Sequence, residues 1–212
     1  MLGGEGATYP PVYSIRDSYI NIMPNYKKNT DNILFVHIPR TGGTSVEDWL
    51  KKNGCLLLHL NHQCGNLNQH AIPETYNEWG EFDLKFAVVR NPMKRFLSVL
   101  GFWGEGRGPA APKPAAKDVN SLAIELLDEY DKDESTYHNH IRPQIDFLTD
   151  DTIICKFEEN FFEELSDLLG FPGPYPHTNG SKRSVQEDEL SEDVRERVLK
   201  LYAQDFEELG YH

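Results

Sequence analysis

The sequence predicts an α/β protein with a single domain, in which a parallel β-sheet is covered by helices on both faces. Short apolar runs rich in β-branched residues alternate along the chain with amphipathic stretches, which is the pattern of strands joined by crossover helices. The chain has 212 residues, of which 39 % are hydrophobic, and this is enough for one sizeable core. In such a sheet, ligands bind at the carboxyl ends of the strands.

Four buried strands are expected from the apolar runs. They are predicted at 33–36, 55–60, 84–89 and 152–157. Helices are predicted in a short stretch after Pro73 and at about 44–53, 93–103, 118–131, 136–148, 159–169 and 191–209. Thr44 or Ser45 is the expected N-cap of the first helix, with Glu47 and Asp48 in its first turn.

Two segments are expected to be less regular than the rest of the chain. Residues 1–32 are rich in Gly, Pro, Tyr and Asn, and they predict an N-terminal arm with one edge strand near 19–23, "YINIM". The domain is then expected to cover 33–212. Within it, the stretch "GEGRGPAAPKPAAK" at 104–117 predicts a flexible loop, which is a candidate lid.

The charge and the lack of long apolar runs exclude several classes of protein. The formal net charge of −13 argues against binding to nucleic acid or anionic membranes, although basic residues remain for a local pocket: Arg40, Arg90, Lys94, Arg95, Lys182 and Arg183. Neither a membrane span nor a secretion signal is visible, so we expect a cytoplasmic protein. Three scattered cysteines predict no disulfide framework, but a Cys55–Cys64 bridge stays open.

The stretch "ILFVHIPRTGGTSVEDWL" at 33–50 predicts a strand, a tight loop and a helix. Such a loop directs backbone N–H groups and the positive end of a helix dipole to one point. Gly42 and Gly43 let an anion approach the backbone closely, so a phosphate-binding loop is predicted. The residues alone leave open that the glycines only turn the chain.

A second anion site is predicted where the strand at 84–89 ends. Arg90 follows this strand, and Ser98 lies two helical turns further on. An alternative, a Mg²⁺-dependent nucleotide kinase or NTPase, needs the spacing G-x-x-x-x-G-K-[ST] and an aspartate after an apolar strand. This chain has neither, since Arg90 stands where the aspartate is expected. The other possibility is that Arg90 pairs with an acidic side chain and that Ser98 is a surface hydroxyl.

Six segments of the chain together match the motifs of one family. The first two are "FVHIPRTGGTS" and "FAVVRNPMKRFLS", and the others are "NQHAIPETY", "HIRPQIDFL", "KFEENF" and "LYAQDFEELGY". The first two resemble the two nucleotide-binding signatures of sulfotransferases that use 3′-phosphoadenosine 5′-phosphosulfate (PAPS), in particular the carbohydrate sulfotransferase (family 2) branch. The other four are similar to the H-A-T-A, R-P-Q-x-D-[YF]-L, F-E-N-L and Y-x-x-D-F-x-x-x-G-Y segments of that family. The resemblance covers roughly 33–211 in the right order, and it implies a fold like that of the P-loop kinases.

The resemblance also implies roles for the residues of both anion sites. The 5′-phosphosulfate would be held by Arg40, Thr41, Gly42, Gly43, Thr44 and Ser45. The 3′-phosphate would be held by Arg90 and Ser98, with Lys182 and Arg183 as further candidates from a C-terminal loop. No metal is needed, because backbone amides and an arginine fork bind phosphate by themselves. The chain departs from the family at Arg40, where the family has lysine. The positive charge of the side chain is kept, but a planar guanidinium replaces a compact ammonium group.

His70 is the candidate general base, because it matches the histidine of the family's H-A-T-A segment. Sulfuryl transfer to a hydroxyl needs such a base, and it needs a cation near the leaving phosphate. Arg40 is the candidate for this cation. His37 is expected to pack against the loop or orient it. Zinc held by His59, His62, Cys64 and His70 is a weak alternative, because their spacing fits no familiar ligand pattern. His138 and His140 are alternative bases or acceptor-site residues.

The sequence therefore predicts transfer of a sulfuryl group from PAPS to a hydroxyl of a sugar or small-molecule acceptor, with 3′,5′-ADP as the product. One rival is a nucleotide-dependent phosphotransferase, which Mg²⁺-dependent binding of ATP would favour. The other rival is a nucleotide-binding module that has lost catalysis.

Overall fold

The computed structural model of the chain describes residues 25–57, 69–106, 118–176 and 184–212. Several predicted features lie outside these residues: the edge strand near 19–23, most of the loop 104–117, the rest of the strand 55–60, and the side chains of His59, His62, Cys64, Lys182 and Arg183. Within the described ranges, no helix is long and apolar enough to span a lipid bilayer.

The core of the fold is a mixed sheet of five strands in the order β3-β1-β2-β4-β5. The strands are β1 (Asn25–Lys28), β2 (Asp31–Val36), β3 (Leu56–Leu57), β4 (Leu84–Val89) and β5 (Ile153–Lys156). Strands β2, β4 and β5 are parallel, as predicted. Strand β1 runs antiparallel to both of its neighbours, so the predicted parallel sheet is mixed at this side.

The reversal at β1 follows from the short connection between β1 and β2. Only Asn29 and Thr30 separate the two strands, and Asn29 has a left-handed backbone with φ of 53°. A turn of two residues can join only antiparallel neighbours, since a parallel pair needs a crossover of a dozen residues or more. Residues 25–32, which the predicted domain division assigns to the arm, thus take part in the sheet.

The apolar run at 55–60 was predicted as a buried strand, and its described part is instead the edge strand β3. Leu56 is 69 % exposed. An apolar run without periodicity does not distinguish a central strand from an edge segment.

Seven α-helices are present in the described ranges. They are α1 (Gly43–Lys52), α2 (Pro73–Tyr76), α3 (Pro92–Gly104), α4 (Val119–Lys132), α5 (Phe161–Leu169), α6 (Glu192–Leu201) and α7 (Ala203–Glu208). The helix predicted at 136–148 is wrong: this segment holds only a short turn with left-handed backbone, Thr136–Asn139, and a 3₁₀ turn, Ile145–Phe147. Pro143 disfavours helical backbone at the residue before it and lacks an N–H to donate. The helix predicted at 191–209 divides near Tyr202 into α6 and α7.

Helices cover both faces of the sheet, as predicted. Side chains alternate along β2, so Ile33 and Phe35 pack toward α1 and α5, while Leu34 and Val36 pack on the opposite side. The opposite side is covered by α2, the 3₁₀ turn at 145–147 and the C-terminal end of the chain. Helices α3, α4 and α6 form a third cluster around Phe96, Leu126 and Val198.

Buried side chains of α3 and of the α6–α7 junction fix the segment that follows α4. Arg95 is fully buried and donates to the carbonyl groups of His140 and Arg142, at 3.1 and 2.6 Å, so it is structural rather than part of a basic pocket. The Tyr202 hydroxyl donates to the carbonyl of Ile141 at 2.7 Å. Three successive carbonyl groups are therefore held by buried donors from α3 and the α6–α7 junction.

Asp205 of α7 holds the next part of the same segment. Its fully buried carboxylate accepts hydrogen bonds from the main-chain N–H groups of Gln144 at 2.9 Å and Ile145 at 3.0 Å. The Gln144 side chain in turn accepts from the N–H of Arg90 at 2.9 Å and donates to its carbonyl at 2.8 Å. The end of the chain thus sets the position of Arg90.

The Asp205→Ala substitution is expected to lower the free energy of unfolding by about 2–4 kcal/mol, because it leaves buried N–H groups without an acceptor. Urea unfolding measures this loss. The matched control is Glu207→Ala on the exposed side of the same helix, which is expected to change stability by less than about 0.5 kcal/mol. Equal stability losses in the two variants would contradict the role given to Asp205.

Candidate functional site

The candidate site lies at the carboxyl ends of β2 and β4, where the two predicted anion-binding motifs meet. The parallel register pairs Val36 with Ala87, so the loops after the two strands are neighbours. Arg90 donates from its guanidinium to the carbonyl oxygen of Arg40 at 3.2 Å. The Nε of Arg40 donates to the Ser98 hydroxyl at 3.1 Å. Residues 50 and 58 positions apart are thereby brought together.

The loop between β2 and α1 is a tight turn that leads directly into the N-terminus of the helix. Arg40 and Gly42 both have left-handed backbone, with φ of 68° and 90°. The Thr41 hydroxyl is buried and donates to the carbonyl of Ile38 at 2.9 Å, which holds the turn together. Helix α1 begins at Gly43 with Gly42 as its N-cap, so the prediction of a Thr44 or Ser45 cap is wrong. Both hydroxyl residues instead lie in the first turn of α1, where helix N–H groups favour an anion.

A buried, hydrogen-bonded pair of side chains supports this loop from below. The Nδ1 of His37 lies 2.7 Å from Oε1 of Glu47, and Gln69 donates to the same oxygen at 2.8 Å. Burial alone would raise the pKa of Glu47, but the charge and hydrogen bond of His37, with Gln69 and Lys51, outweigh it and hold the pKa below its usual range. Glu47 was predicted as an acidic residue of the first turn, and it is instead a buried residue that attaches the helix to His37, directly after β2.

Gly43 is required by the ring of His37. A Cβ at residue 43 would lie 2.1 Å from the Nε2 of His37, which is far inside contact distance. Gly42 is also constrained, because a Cβ there would lie 3.0 Å from the ring of Phe157 in addition to the positive φ. The two glycines therefore do more than turn the chain: they let two rings pack directly under the loop.

Arg90 has the properties of an anion ligand. Its guanidinium lies 4.8 Å from the centre of the Phe157 ring, and its buried Nε has no hydrogen-bond partner among the described residues. Burial lowers the pKa of Arg90, although a guanidinium stays charged near neutral pH. A buried N–H group without an acceptor is costly, and an anionic oxygen at this position would satisfy it.

Beside the loop, aromatic and imidazole rings form a continuous row. The ring centres of His37 and His70 are 5.0 Å apart, and those of His70 and His140 are 4.8 Å apart, both edge to face. His140 stacks on Phe102 at 5.7 Å, and the guanidinium of Arg40 lies 4.6 Å from the centre of the Phe102 ring. The row thus starts under the loop at His37 and returns to the loop at Arg40.

His70 is nearly buried and uncharged at neutral pH. Burial first, and then the neighbouring His140 and His37, hold the pKa of His70 well below its ordinary value of 6.5. Burial likewise lowers the pKa of His140 to about 3. The Nδ1 of His70 donates to the carbonyl of His138 at 3.0 Å, so the neutral ring carries its lone pair on Nε2. An uncharged imidazole with this tautomer has the electronic state of a general base.

The structure brings together most of the residues predicted for the site. One edge of the sheet carries the loop residues Arg40 to Ser45 together with Arg90 and Ser98. The ring of His70 contacts His37, which in turn lies against this loop. His138 is exposed, whereas His140 is buried in the ring row. Within the described residues no group of three or more His, Cys, Asp or Glu side chains is arranged to hold a metal ion.

Sequence reasoning missed several residues that shape the site. They are Phe102, Asn139, Gln144 and Phe157. Asn139 and Gln144 lie in or beside the segment "HIRPQIDFL", which the family resemblance singled out, but no pattern assigned them a contact. Phe157 lies in the segment "KFEENF", which the resemblance also singled out without assigning it a contact, and Phe102 has no local signal beyond ordinary core periodicity.

The contact of His37 with Gly43 predicts a coupled pair of substitutions. Gly43→Ala is expected to lower stability by about 1–3 kcal/mol through overpacking. In a His37→Ala background the same change is expected to cost much less, because the overlapping ring is gone. Urea unfolding of the two single variants and the double variant measures the coupling. An equal cost of Gly43→Ala in both backgrounds would refute it.

Comparison with known proteins agrees with this geometry. A model of the sulfotransferase family matches residues 26–212, a range that begins within β1 and includes the loop, Arg90, His70 and both C-terminal helices. Searches among curated proteins and among solved structures gave no match. The match confirms the family resemblance found in the sequence motifs. The chain belongs to the sulfotransferase family.

Proposed function

We propose that this protein transfers the sulfuryl group of PAPS to a hydroxyl of a sugar or small-molecule acceptor. Membership of the sulfotransferase family supports sulfuryl transfer in general. The observation that supports PAPS as the donor is the meeting of Arg40, Arg90 and Ser98 beside the N-terminus of α1. A nucleotide with phosphate groups on both its 3′ and 5′ positions needs two neighbouring anion sites of this kind.

Each site has donors that suit one end of the nucleotide. The backbone from Thr41 to Ser45 and the side chain of Arg40 would hold the 5′-phosphosulfate, since a helix N-terminus favours an anion. The buried Nε of Arg90 would donate to the 3′-phosphate. The Ser98 hydroxyl accepts from Arg40 and has its own hydrogen to donate to the same phosphate. Lys182 and Arg183 stay predicted ligands of the 3′-phosphate.

The chemical step is a direct in-line transfer. The acceptor oxygen forms a bond to sulfur while the bond from sulfur to the bridging oxygen breaks, and the electron pair leaves with the 5′-phosphate to give 3′,5′-ADP. The proton of the acceptor hydroxyl passes to Nε2 of His70. Arg40 stabilises the negative charge that develops on the leaving phosphate, as a fixed cation does most effectively in a partly buried site.

The position of His70 supports its role as the base. His37 contacts both the loop, at Gly43, and the ring of His70, so one side chain separates the base from the phosphate-binding backbone. Contact with the loop through a single ring supports a role for His70 on an acceptor that approaches sulfur at this loop. We propose the acceptor only by its chemical class, which is an alcohol of a sugar or small metabolite in the cytoplasm.

Donor identity can be tested by nucleotide binding. We expect 3′,5′-ADP to bind about tenfold to a hundredfold more tightly than 5′-AMP without magnesium, because a charge-assisted phosphate contact contributes roughly 1.5–3 kcal/mol. Isothermal titration calorimetry measures both affinities. Arg90→Ala should remove most of this difference, whereas the control Lys94→Ala, on the exposed side of α3, should keep it.

Two results would count against a PAPS site. One is equal affinity for 3′,5′-ADP and 5′-AMP in the wild-type protein. The other is tight binding of ATP that requires Mg²⁺, which would favour the phosphotransferase.

The base can be tested by turnover of PAPS with a panel of alcohol acceptors. His70→Gln is expected to lower kcat by about 10²–10⁴-fold and to leave the affinity for 3′,5′-ADP nearly unchanged, because the base acts on the acceptor. Since the pKa of His70 is held well below 6.5, the wild-type rate should stay level as the pH falls to 6.5 and decrease only in more acidic solution, where the ring gains a proton. A folded His70→Gln protein with wild-type turnover would exclude His70 as the general base. Binding of 3′,5′-ADP by the wild-type protein without turnover of any acceptor would favour the nucleotide-binding module that has lost catalysis.

A further inference from the structure

Three successive residues beside the ring row have left-handed backbone. The φ angles of Tyr137, His138 and Asn139 are 50°, 54° and 63°. Left-handed backbone costs roughly 1–2 kcal/mol for a residue with a Cβ, and asparagine is among the few that tolerate it. Such strain persists only where the surrounding contacts determine it, and it is concentrated at functional sites.

The left-handed turn directs two carbonyl groups at two imidazoles. The carbonyl of Tyr137 accepts from Nδ1 of His140 at 2.7 Å, and that of His138 accepts from Nδ1 of His70 at 3.0 Å. A carbonyl oxygen can only accept, so the proton of each neutral ring must be on Nδ1. The lone pair of each ring is then on Nε2. One turn therefore sets the same tautomer in both histidines.

The next residue of the turn holds the main chain of His70. Asn139 is 5 % exposed, and its Nδ2 donates to the carbonyl of His70 at 2.9 Å. Its Oδ1 accepts from Nε of Arg142 at 3.4 Å. The ring and the backbone of His70 are thus both fixed by adjacent residues of a segment 68 and 69 positions away.

The turn itself is attached to the rest of the core. Buried donors from Arg95 and Tyr202 hold the carbonyl groups of the three residues that follow it, from His140 to Arg142. The position of His70 relative to the phosphate-binding loop therefore also depends on long-range contacts from α3 and the α6–α7 junction.

We propose that the turn at 137–139 is the positioning device of the general base. The carbonyl of His138 selects Nε2 of His70 as the proton-accepting atom, and the side chain of Asn139 holds the residue at the distance that transfer requires. The turn does for His70 what a carboxylate does for the histidine of many hydrolases, without adding a negative charge beside an anionic donor. The consequence for rate rests on the proposed function, whereas the tautomer does not.

The first experiment needs no turnover. Protein with ¹⁵N-labelled histidine is examined by NMR near neutral pH, and the signals of His70 are assigned by their loss in His70→Gln. We expect the proton of His70 on Nδ1 and the unprotonated nitrogen at Nε2. A His70 ring with its proton on Nε2 would overturn the proposal, and this readout uses the turn with its wild-type residues.

The second experiment separates the Asn139 side chain from the backbone conformation. Asn139→Gly keeps a residue that accepts positive φ and removes the carboxamide. We expect kcat to fall about tenfold to a hundredfold, with little change in the affinity for 3′,5′-ADP, because only the geometry of the base is disturbed. The matched control is Asn29→Gly in the β1–β2 turn, which has φ of 53°, is exposed, and lies at the opposite end of β2 from the site. Its kcat should equal that of the wild type.

These outcomes distinguish this proposal from the proposed function. Wild-type kcat in a folded Asn139→Gly protein would overturn the positioning role, even if sulfuryl transfer is established. The expected tautomer in a protein that transfers no sulfuryl group would contradict the proposed function and leave the turn as the determinant of the ring state.

Discussion

The contact of the Gln144 side chain with the main chain of Arg90 is the interaction on which the candidate site most depends. One carboxamide accepts from the N–H of Arg90 and donates to its carbonyl, which fixes the residue where β4 ends. Asp205 holds Gln144 in turn, so a helix near the C-terminus determines the position of an arginine in the centre of the chain. Because these groups are buried, any misalignment would leave polar atoms unpaired, and the arrangement is correspondingly rigid.

A second group of buried polar contacts supports the opposite side of the site. Glu47 and His37 pair beneath the loop, and Gly43 provides the space that the imidazole occupies. The same ring contacts His70, whose tautomer is set by the turn at 137–139. The loop that would bind the donor and the histidine that would activate the acceptor are therefore supported by one continuous network rather than by two independent ones.

The electrostatics of the site are local. The chain has a formal net charge of −13, yet Arg40 and Arg90 lie against aromatic rings at the sheet edge, and the buried carboxylate of Glu47 is paired with His37. Guanidinium groups that are partly removed from water attract an anion more strongly than exposed ones do, because screening is weaker there. An acidic exterior is compatible with a site for a polyanionic nucleotide for this reason.

The sequence by itself determined the elements whose signals are local: β4 at 84–89, the loop between β2 and α1, helix α3 after Asn91-Pro92, and the family. Periodicity, turn residues and short motifs depend on neighbours within a few positions, so they are readable without a structure. Only the tertiary structure decided the burial of Glu47, the left-handed turn at 137–139 and the contacts of Gln144. Each depends on partners that are distant in the chain or on a turn geometry that packing imposes, because local propensity yields wherever buried polar groups must be satisfied across the fold.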